Sequence, residues 1–194
     1  MLKKLRKFLF ERRAKKYLEL NPRERRFVTY DKARTVLILF ESEFSEKNLY
    51  IRRMISNLQQ DGKKVSAWGY IDKKEVTTAI LPEFRVLHHK QTDFFQSPQL
   101  SFINELAEQE FDLLIDLTLK PLLPLQYVAL YAKASCKIGT HQSDLELYDF
   151  ILNVESQKSS GEATDNSESN DILIDEIYLY DQIIFYIKSI QTKD

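Results

Sequence analysis

Residues 111–141, FDLLIDLTLKPLLPLQYVALYAKASCKIGTH, predict a strand, a helix and a second strand. An apolar run from Phe111 to Leu117 is followed by a turn that contains prolines, a segment rich in Ala, Leu and Tyr, and a short run from Cys136 to Thr140. Strands buried on both faces have such near-continuous apolar runs, and a helical crossover joins parallel strands. This stretch therefore predicts an α/β domain with a parallel sheet.

The flanking sequence extends this unit into a Rossmann-like three-layer α/β sandwich, with a mostly parallel sheet of about six strands. The other strands are predicted at residues 35–40, 65–71, 84–88 and 150–154. Helices are predicted from Ser45 to a stop at Gly62, and from a cap at Ser97 to Glu110. In such a fold the usual strand order is 3-2-1-4-5-6.

Composition divides the chain into four segments. We predict a basic helical N-terminal extension at residues 1–34, the α/β domain at 35–155, a flexible linker at 156–170 and a C-terminal helix at 171–194. The linker contains almost no apolar residue, so it could not order itself by burying surface.

The C-terminal helix has one apolar face, which must pack against another apolar surface. The residues on that face are Leu173, Ile177, Tyr180, Ile184 and Ile187. The helix covers either the sheet or a second copy of the chain, and the second alternative predicts a homodimer through residues 171–193.

The net charge of −1 hides a strong asymmetry along the chain. Residues 1–34 carry 13 Lys/Arg and 4 Asp/Glu, residues 35–140 carry 12 and 13, and residues 141–194 carry 3 and 12, which gives net charges of +9, −1 and −9. A basic head and an acidic tail indicate an anionic partner for the head, or contact between the two ends.

The N-terminal helix, predicted over residues 1–20, has an unusual stripe. Leu2, Leu5 and Leu9 share one side at helical spacing, but the stripe continues into Arg13 and Lys16. A core-packing helix would keep that stripe apolar, so this helix is only weakly amphipathic in its second half.

Three interpretations of the basic head remain open. The helix is solvated or paired with the acidic tail, it binds nucleic-acid phosphates, or it lies on an anionic membrane with its first leucines and Phe8 inserted. We prefer RNA or a ribonucleoprotein to the membrane surface, because Arg is plentiful and the apolar stripe is short. The cations that would contact the partner are Lys3, Lys4, Arg6, Lys7, Arg12, Arg13, Lys15, Lys16, Arg23, Arg25 and Arg26.

The predicted location is the cytoplasm, with the inner membrane as a peripheral alternative. No apolar run approaches the roughly 18 residues that span a bilayer. The apolar run near the N-terminus ends at Phe10, where Glu11, Arg12 and Arg13 follow, so it is not a secretory signal.

Ligands of open α/β sheets gather at the carboxyl ends of the strands. Glu41 follows strand one and Asp116 ends strand four, so the two are weak candidates for a catalytic acid and base at the point where the strand order reverses. The competing interpretation is a pair of carboxylates that cap a helix or face water. Further candidates for ligand contact at this edge are His88, His89, Thr118 and His141.

No metal site and no cofactor are expected. The three histidines follow strands three and five, roughly 19 Å apart at about 4.8 Å per strand, which is too far for one ion. The loop after strand one, ESEFSEKN at residues 41–48, lacks the glycines of a phosphate cradle. The single cysteine, Cys136, is predicted to be a buried thiol.

Two motifs, FDLLIDL at residues 111–117 and KIG at residues 137–139, resemble the N-terminal, acceptor-side domain of heptosyltransferase-like glycosyltransferases of the GT-B fold. The resemblance implies a half-domain of glycosyltransferase ancestry. The first loop of that family, which bears glycine and aspartate, is replaced here by ESEFSEKN, and the 194 residues hold no counterpart of its sugar-nucleotide-binding domain. As a whole, the chain is similar to an uncharacterised domain-of-unknown-function family of Bacteroidetes-type bacteria.

Together these features predict a non-catalytic Rossmann-like binding or adaptor protein whose basic N-terminal segment attaches to an anionic partner. The alternative is a small enzyme that acts on a sugar or nucleotide in the crevice between strands one and four, with Glu41 or Asp116 as its base.

Overall fold

The computed structural model describes residues 2–42, 45–72, 84–140, 145–153 and 176–190. The strands are β1 (Thr35–Glu41), β2 (Lys64–Ile71), β3 (Phe84–His88), β4 (Glu110–Asp116), β5 (Lys133–Gly139) and β6 (Phe150–Ile151). The helices are α1 (Leu2–Leu20), α2 (Ser45–Gln60), α3 (Leu100–Ala107), α4 (Leu123–Tyr131) and α5 (Glu176–Ser189). The predicted linker, the first residues of the predicted C-terminal helix and the end of the predicted sixth strand lie outside the described residues.

The strands form one open, all-parallel sheet in the order β3-β2-β1-β4-β5-β6, which confirms the predicted fold class and strand order. In the centre of the sheet, Val36 of β1 lies opposite Val65 of β2 on one side and Leu113 of β4 on the other. All three side chains are buried, because helices cover both faces. This double burial explains the near-continuous apolar runs in the sequence.

One face of the sheet packs against α2 and α5. Leu58 of α2 and Ile183 of α5 belong to one buried cluster together with Ile38 of β1 and Cys136 of β5. Cys136 is the buried thiol that the sequence predicts, and burial raises its pKa to about 11.

The other face packs against α1, α3 and α4. Phe10 from α1, Leu106 from α3 and Val128 from α4 share a buried cluster with Leu37 and Leu39 of β1. The fold is therefore a three-layer sandwich in which α1 is one of the covering helices.

The apolar face of α5 is directed at the sheet of its own chain. Tyr180 and Ile187 are buried as predicted, and Leu179 and Ile183 are buried beside them. A homodimer through this helix stays a prediction, and it would have to use the opposite side, where Phe185 is exposed.

Residues 21–34, which join α1 to β1, are packed into the domain. Val28, Tyr30 and Ala33 are buried in the cluster under α2 and α5. The buried ammonium of Lys63 donates to the carbonyls of Tyr30 at 2.6 Å and Ala33 at 3.0 Å. Residues 21–34 therefore contribute to the core of the α/β domain, and the predicted boundary at residue 34 stays a prediction.

The third helix begins later than the sequence predicts. It begins at Leu100, because Oδ1 of Asp93 accepts the backbone N–H groups of Phe95 and Ser97 and holds these residues in a turn. Ser97 is therefore part of the turn before the helix. The predicted end at Glu110 is the first residue of β4.

Candidate functional site

Asp116 ends β4 at the carboxyl edge of the sheet, where it is buried. Its Oδ1 accepts the backbone N–H of Thr118 at 3.0 Å and the Thr118 hydroxyl at 2.7 Å, and its Oδ2 accepts the hydroxyl of Tyr148. Burial, and then the charge of Asp116, raise the pKa of Tyr148 well above its ordinary value. Gly139 leaves room for the tyrosine ring, since a Cβ there would lie 2.8 Å from it. Asp116 therefore joins the end of β4 to the segment that precedes β6.

Glu41, the other predicted carboxylate, has a different partner. Its Oε1 lies 2.9 Å from Nζ of Lys120, whose side chain is mostly exposed. Thr118, a predicted ligand contact, also accepts the hydroxyl of Thr140 on its carbonyl at 2.8 Å. An acid–base pair of Glu41 and Asp116 stays a prediction, and the three hydrogen bonds of Asp116 favour a structural carboxylate.

Two of the three predicted histidine contacts, His88 and His89, are in the described part of the chain. His88 ends β3, half-buried, and its Nδ1 is enclosed without a hydrogen-bond partner among the described residues. His89 is exposed, and His141 lies outside the described residues. In the described part of the chain, no group of three or more His, Cys, Asp or Glu could hold a metal ion.

Lys137 is a buried cation that the sequence analysis did not single out. Its Nζ lies 2.5 Å from the carbonyl oxygen of Ala129, in the last turn of α4. Burial, assisted by the charge of Arg23, lowers the pKa of Lys137 to about 7. A lysine in the apolar strand ASCKIG is the signal that could have indicated it. Enclosed against a helix terminus, it stabilises the unpaired carbonyls there.

The face through which α1 packs differs from the predicted stripe. Phe10 and Ala14 are buried. The ring of Phe10 meets Tyr127 edge-on with centroids 4.8 Å apart, and Tyr17 meets Tyr131 in the same way at 4.8 Å. Leu2 and Leu5 of the predicted stripe are therefore exposed, while Leu9 is half-buried.

The outer side of the first two turns of α1, Leu2, Leu5 and Phe8, forms an exposed apolar end. These side chains are 44%, 49% and 59% exposed, respectively. The same two turns carry the exposed lysines Lys3, Lys4 and Lys7, of which Lys4 precedes Phe8 by about one helical turn. Lys7 lies 3.6 Å from Glu11, and this is the only ion pair that an α1 cation makes with the described residues. The exposed start of α1 thus carries both apolar and cationic side chains.

An open groove of roughly 470 Å³ lies beside the middle of α1. The α1 groove is lined by Leu9, Arg12, Arg13, Lys16, Phe95 and Tyr127. The guanidinium carbon of Arg13 lies 5.8 Å from the centroid of the Tyr127 ring. Three cations here face an apolar wall, an arrangement that suits an anion attached to an apolar group.

The second basic cluster, which consists of Arg23, Arg25 and Arg26, makes contacts with other parts of the fold. Arg23 donates to Oδ1 of Asp149 at 2.5 Å, and Arg25 pairs with Glu146 at 2.9 Å. The backbone N–H of Arg26 donates to a carbonyl of β5 at 3.1 Å. Part of the basic head therefore contacts the acidic tail. The cations of α1 are mostly exposed or line the groove, and Arg6 is half-buried with its guanidinium 5.1 Å from the centroid of the Phe94 ring.

Sequence reasoning missed two residues of this surface, Phe95 and Tyr127. Neither stands in a motif, and both reach the groove only because α4 and the turn after β3 pack beside α1. No local signal could have indicated them.

Residues 6–176 match a family of unknown function, DUF6913. The matched region runs from within α1 to the first residue of α5, so it includes the groove. Neither a curated protein nor a solved structure matches the chain.

Proposed function

The chain belongs to DUF6913, a family of unknown function, and we propose that it is a non-catalytic binding protein that attaches to an acidic membrane surface through α1. The observation that carries this proposal is the exposure of the apolar end of α1 on a helix whose first two turns also carry exposed lysines. Each Leu or Phe gains about 1.5–3 kcal/mol when it leaves water completely. A cation near an acidic bilayer contributes about 1 kcal/mol.

A membrane fits this surface better than RNA does. RNA phosphates would use the cations of α1, but they would leave Leu2 and Leu5 in water. Nucleic-acid surfaces also favour aromatic side chains on which bases stack, and Tyr127, the tyrosine of the groove, is only 1% exposed. A lipid surface uses both the charges and the exposed leucines.

The attachment would be peripheral, at the cytoplasmic face of the inner membrane. No helix in the described ranges combines the length and the apolar character needed to cross a bilayer. The likeness of residues 111–141 to a GT-B half-domain supports an inherited binding fold as the scaffold. In that scaffold Asp116 has a structural role.

The double variant Leu5→Ser with Phe8→Ser tests the proposal. We expect the native chain to cosediment with vesicles that contain acidic phospholipid, and less so as salt increases. The variant should bind about tenfold more weakly or worse, because the apolar contribution is lost. Both side chains are exposed, so the fold should be unaffected.

A matched control is Leu49→Ser with Tyr50→Ser, which removes one exposed leucine and one exposed aromatic residue from α2 on the other layer. Its vesicle binding should equal that of the native chain. The membrane proposal fails if the native chain ignores acidic vesicles but binds an RNA homopolymer, with the Leu5/Phe8 variant binding that RNA equally well.

A further inference from the structure

The α1 groove has the chemistry of a site for one ligand, beyond general attraction to a charged surface. We propose that it binds a phosphate group attached to an aliphatic chain, the chemistry of a phospholipid headgroup or of a free alkyl phosphate. This inference rests on the proposed function, and it assigns a ligand class to the groove.

The three cations of the groove would bind the phosphate group of the ligand. Arg12, Arg13 and Lys16 lie within little more than one helical turn and line the same groove. Arg13 is held over the Tyr127 ring, which limits the rotamers it must lose on binding. Guanidinium groups bind phosphate oxygens in pairs, so two arginines and a lysine can neutralise one phosphate.

The apolar wall indicates an aliphatic chain. Leu9 and Phe95 line the groove, and Leu5 and Leu2 continue the stripe of Leu9 towards the start of α1. The floor residue Tyr127 is buried, with Phe10 on one side of its ring and Arg13 over it. The Tyr127 ring therefore offers no open face for a base, whereas an alkyl chain needs only apolar contact.

The size and direction of the groove agree with such a ligand. Sites for small ligands commonly enclose about 300–1,000 Å³, and the groove falls within that range. Arg12 lies about 10 Å along the helix axis from Leu5, at roughly 1.5 Å per residue. A phosphate at the cations would therefore direct its chain towards the apolar end of α1, which is the end proposed to enter the bilayer.

Calorimetric titration of the full chain with octyl phosphate, below its micelle concentration, tests the site. We expect saturable binding at one site, and much weaker binding of inorganic phosphate and of octanol. Lys16→Gln should weaken the binding of octyl phosphate about tenfold. The matched variant Lys15→Gln removes the same charge from an exposed position of α1 that does not line the groove, and its affinity should be unchanged.

Phe95→Ala supplies a second check, since it should weaken octyl phosphate but leave inorganic phosphate unchanged. Equal losses in Lys15→Gln and Lys16→Gln, or inorganic phosphate binding as tightly as octyl phosphate, would overturn the inference. If the groove inference fails but the native chain still binds acidic vesicles, the proposed function remains supported.

Competition between octyl phosphate and phosphatidic acid vesicles identifies the natural source of the phosphate ligand. Octyl phosphate that releases the chain from phosphatidic acid vesicles supports a lipid headgroup in the groove. Octyl phosphate that binds without any vesicle binding supports a free amphiphile as the ligand and removes the membrane proposal.

Discussion

Replacing Asp116 with alanine is expected to lower the free energy of unfolding by about 3 kcal/mol or more. The substitution removes the acceptor of the Tyr148 hydroxyl and of both donors of Thr118. All three residues are buried, so water cannot replace the lost partner without opening the carboxyl edge of the sheet. Urea denaturation of the native and variant chains measures the loss.

A carboxylate at the same edge provides the control. Glu41→Ala removes a pair with the mostly exposed Lys120 and should cost about 1 kcal/mol or less. In the double variant Asp116→Ala with Tyr148→Phe, the orphaned hydroxyl is gone, so the total loss should be smaller than the sum of the two single losses. A catalytic Asp116 would give the opposite pattern, in which Asp116→Ala leaves the stability unchanged.

The second large effect is a dependence of stability on pH that comes from Lys137. Burial lowers its pKa to about 7 in the folded chain, from the ordinary value of 10.5. Between these two values the unfolded chain binds a proton that the folded chain does not, so stability rises with pH. We expect a gain of about 3 kcal/mol between about pH 7 and pH 9.5, and no further loss from this group below about pH 6.

Lys137→Met should abolish most of that rise, because the titrating group is gone. The control is Lys133→Met, which replaces an exposed lysine at the start of the same strand and should keep the rise. Denaturation curves recorded across this pH range for the three proteins decide the matter. A slope that survives in Lys137→Met would assign the effect to another group.

The sheet could be predicted from the sequence because its signals are local. The strand Phe84–His88 and the stop of the second helix at Gly62 follow from short runs of residues. Gly62 has a positive φ of 76°, the backbone geometry that favours glycine after a helix. The strand order then followed from the alternation of strands and helices.

The site could not be predicted in the same way, because its residues gain their roles from distant partners. The core face of α1 was missed because Phe10 and Ala14 are made core positions by Tyr127, which is far along the chain. The hydrogen bond from Tyr148 to Asp116 joins residues that are 32 positions apart in the chain. In each case the deciding contact joins segments whose spacing carries no pattern.

The burial of residues 21–34 against β5 also affects how the chain is made. Arg23 donates to the carbonyl of Ala134, which lies 111 residues further along the chain. At synthesis rates of about 5–20 residues per second, the first helix leaves the ribosome roughly 5 to 20 seconds before its packing partners exist. During this interval the inner aromatic side chains and the outer leucines of α1 are both uncovered. α1 is thus made well before the segments that pack against it, and in that interval its uncovered apolar side chains favour contact with a chaperone or a membrane.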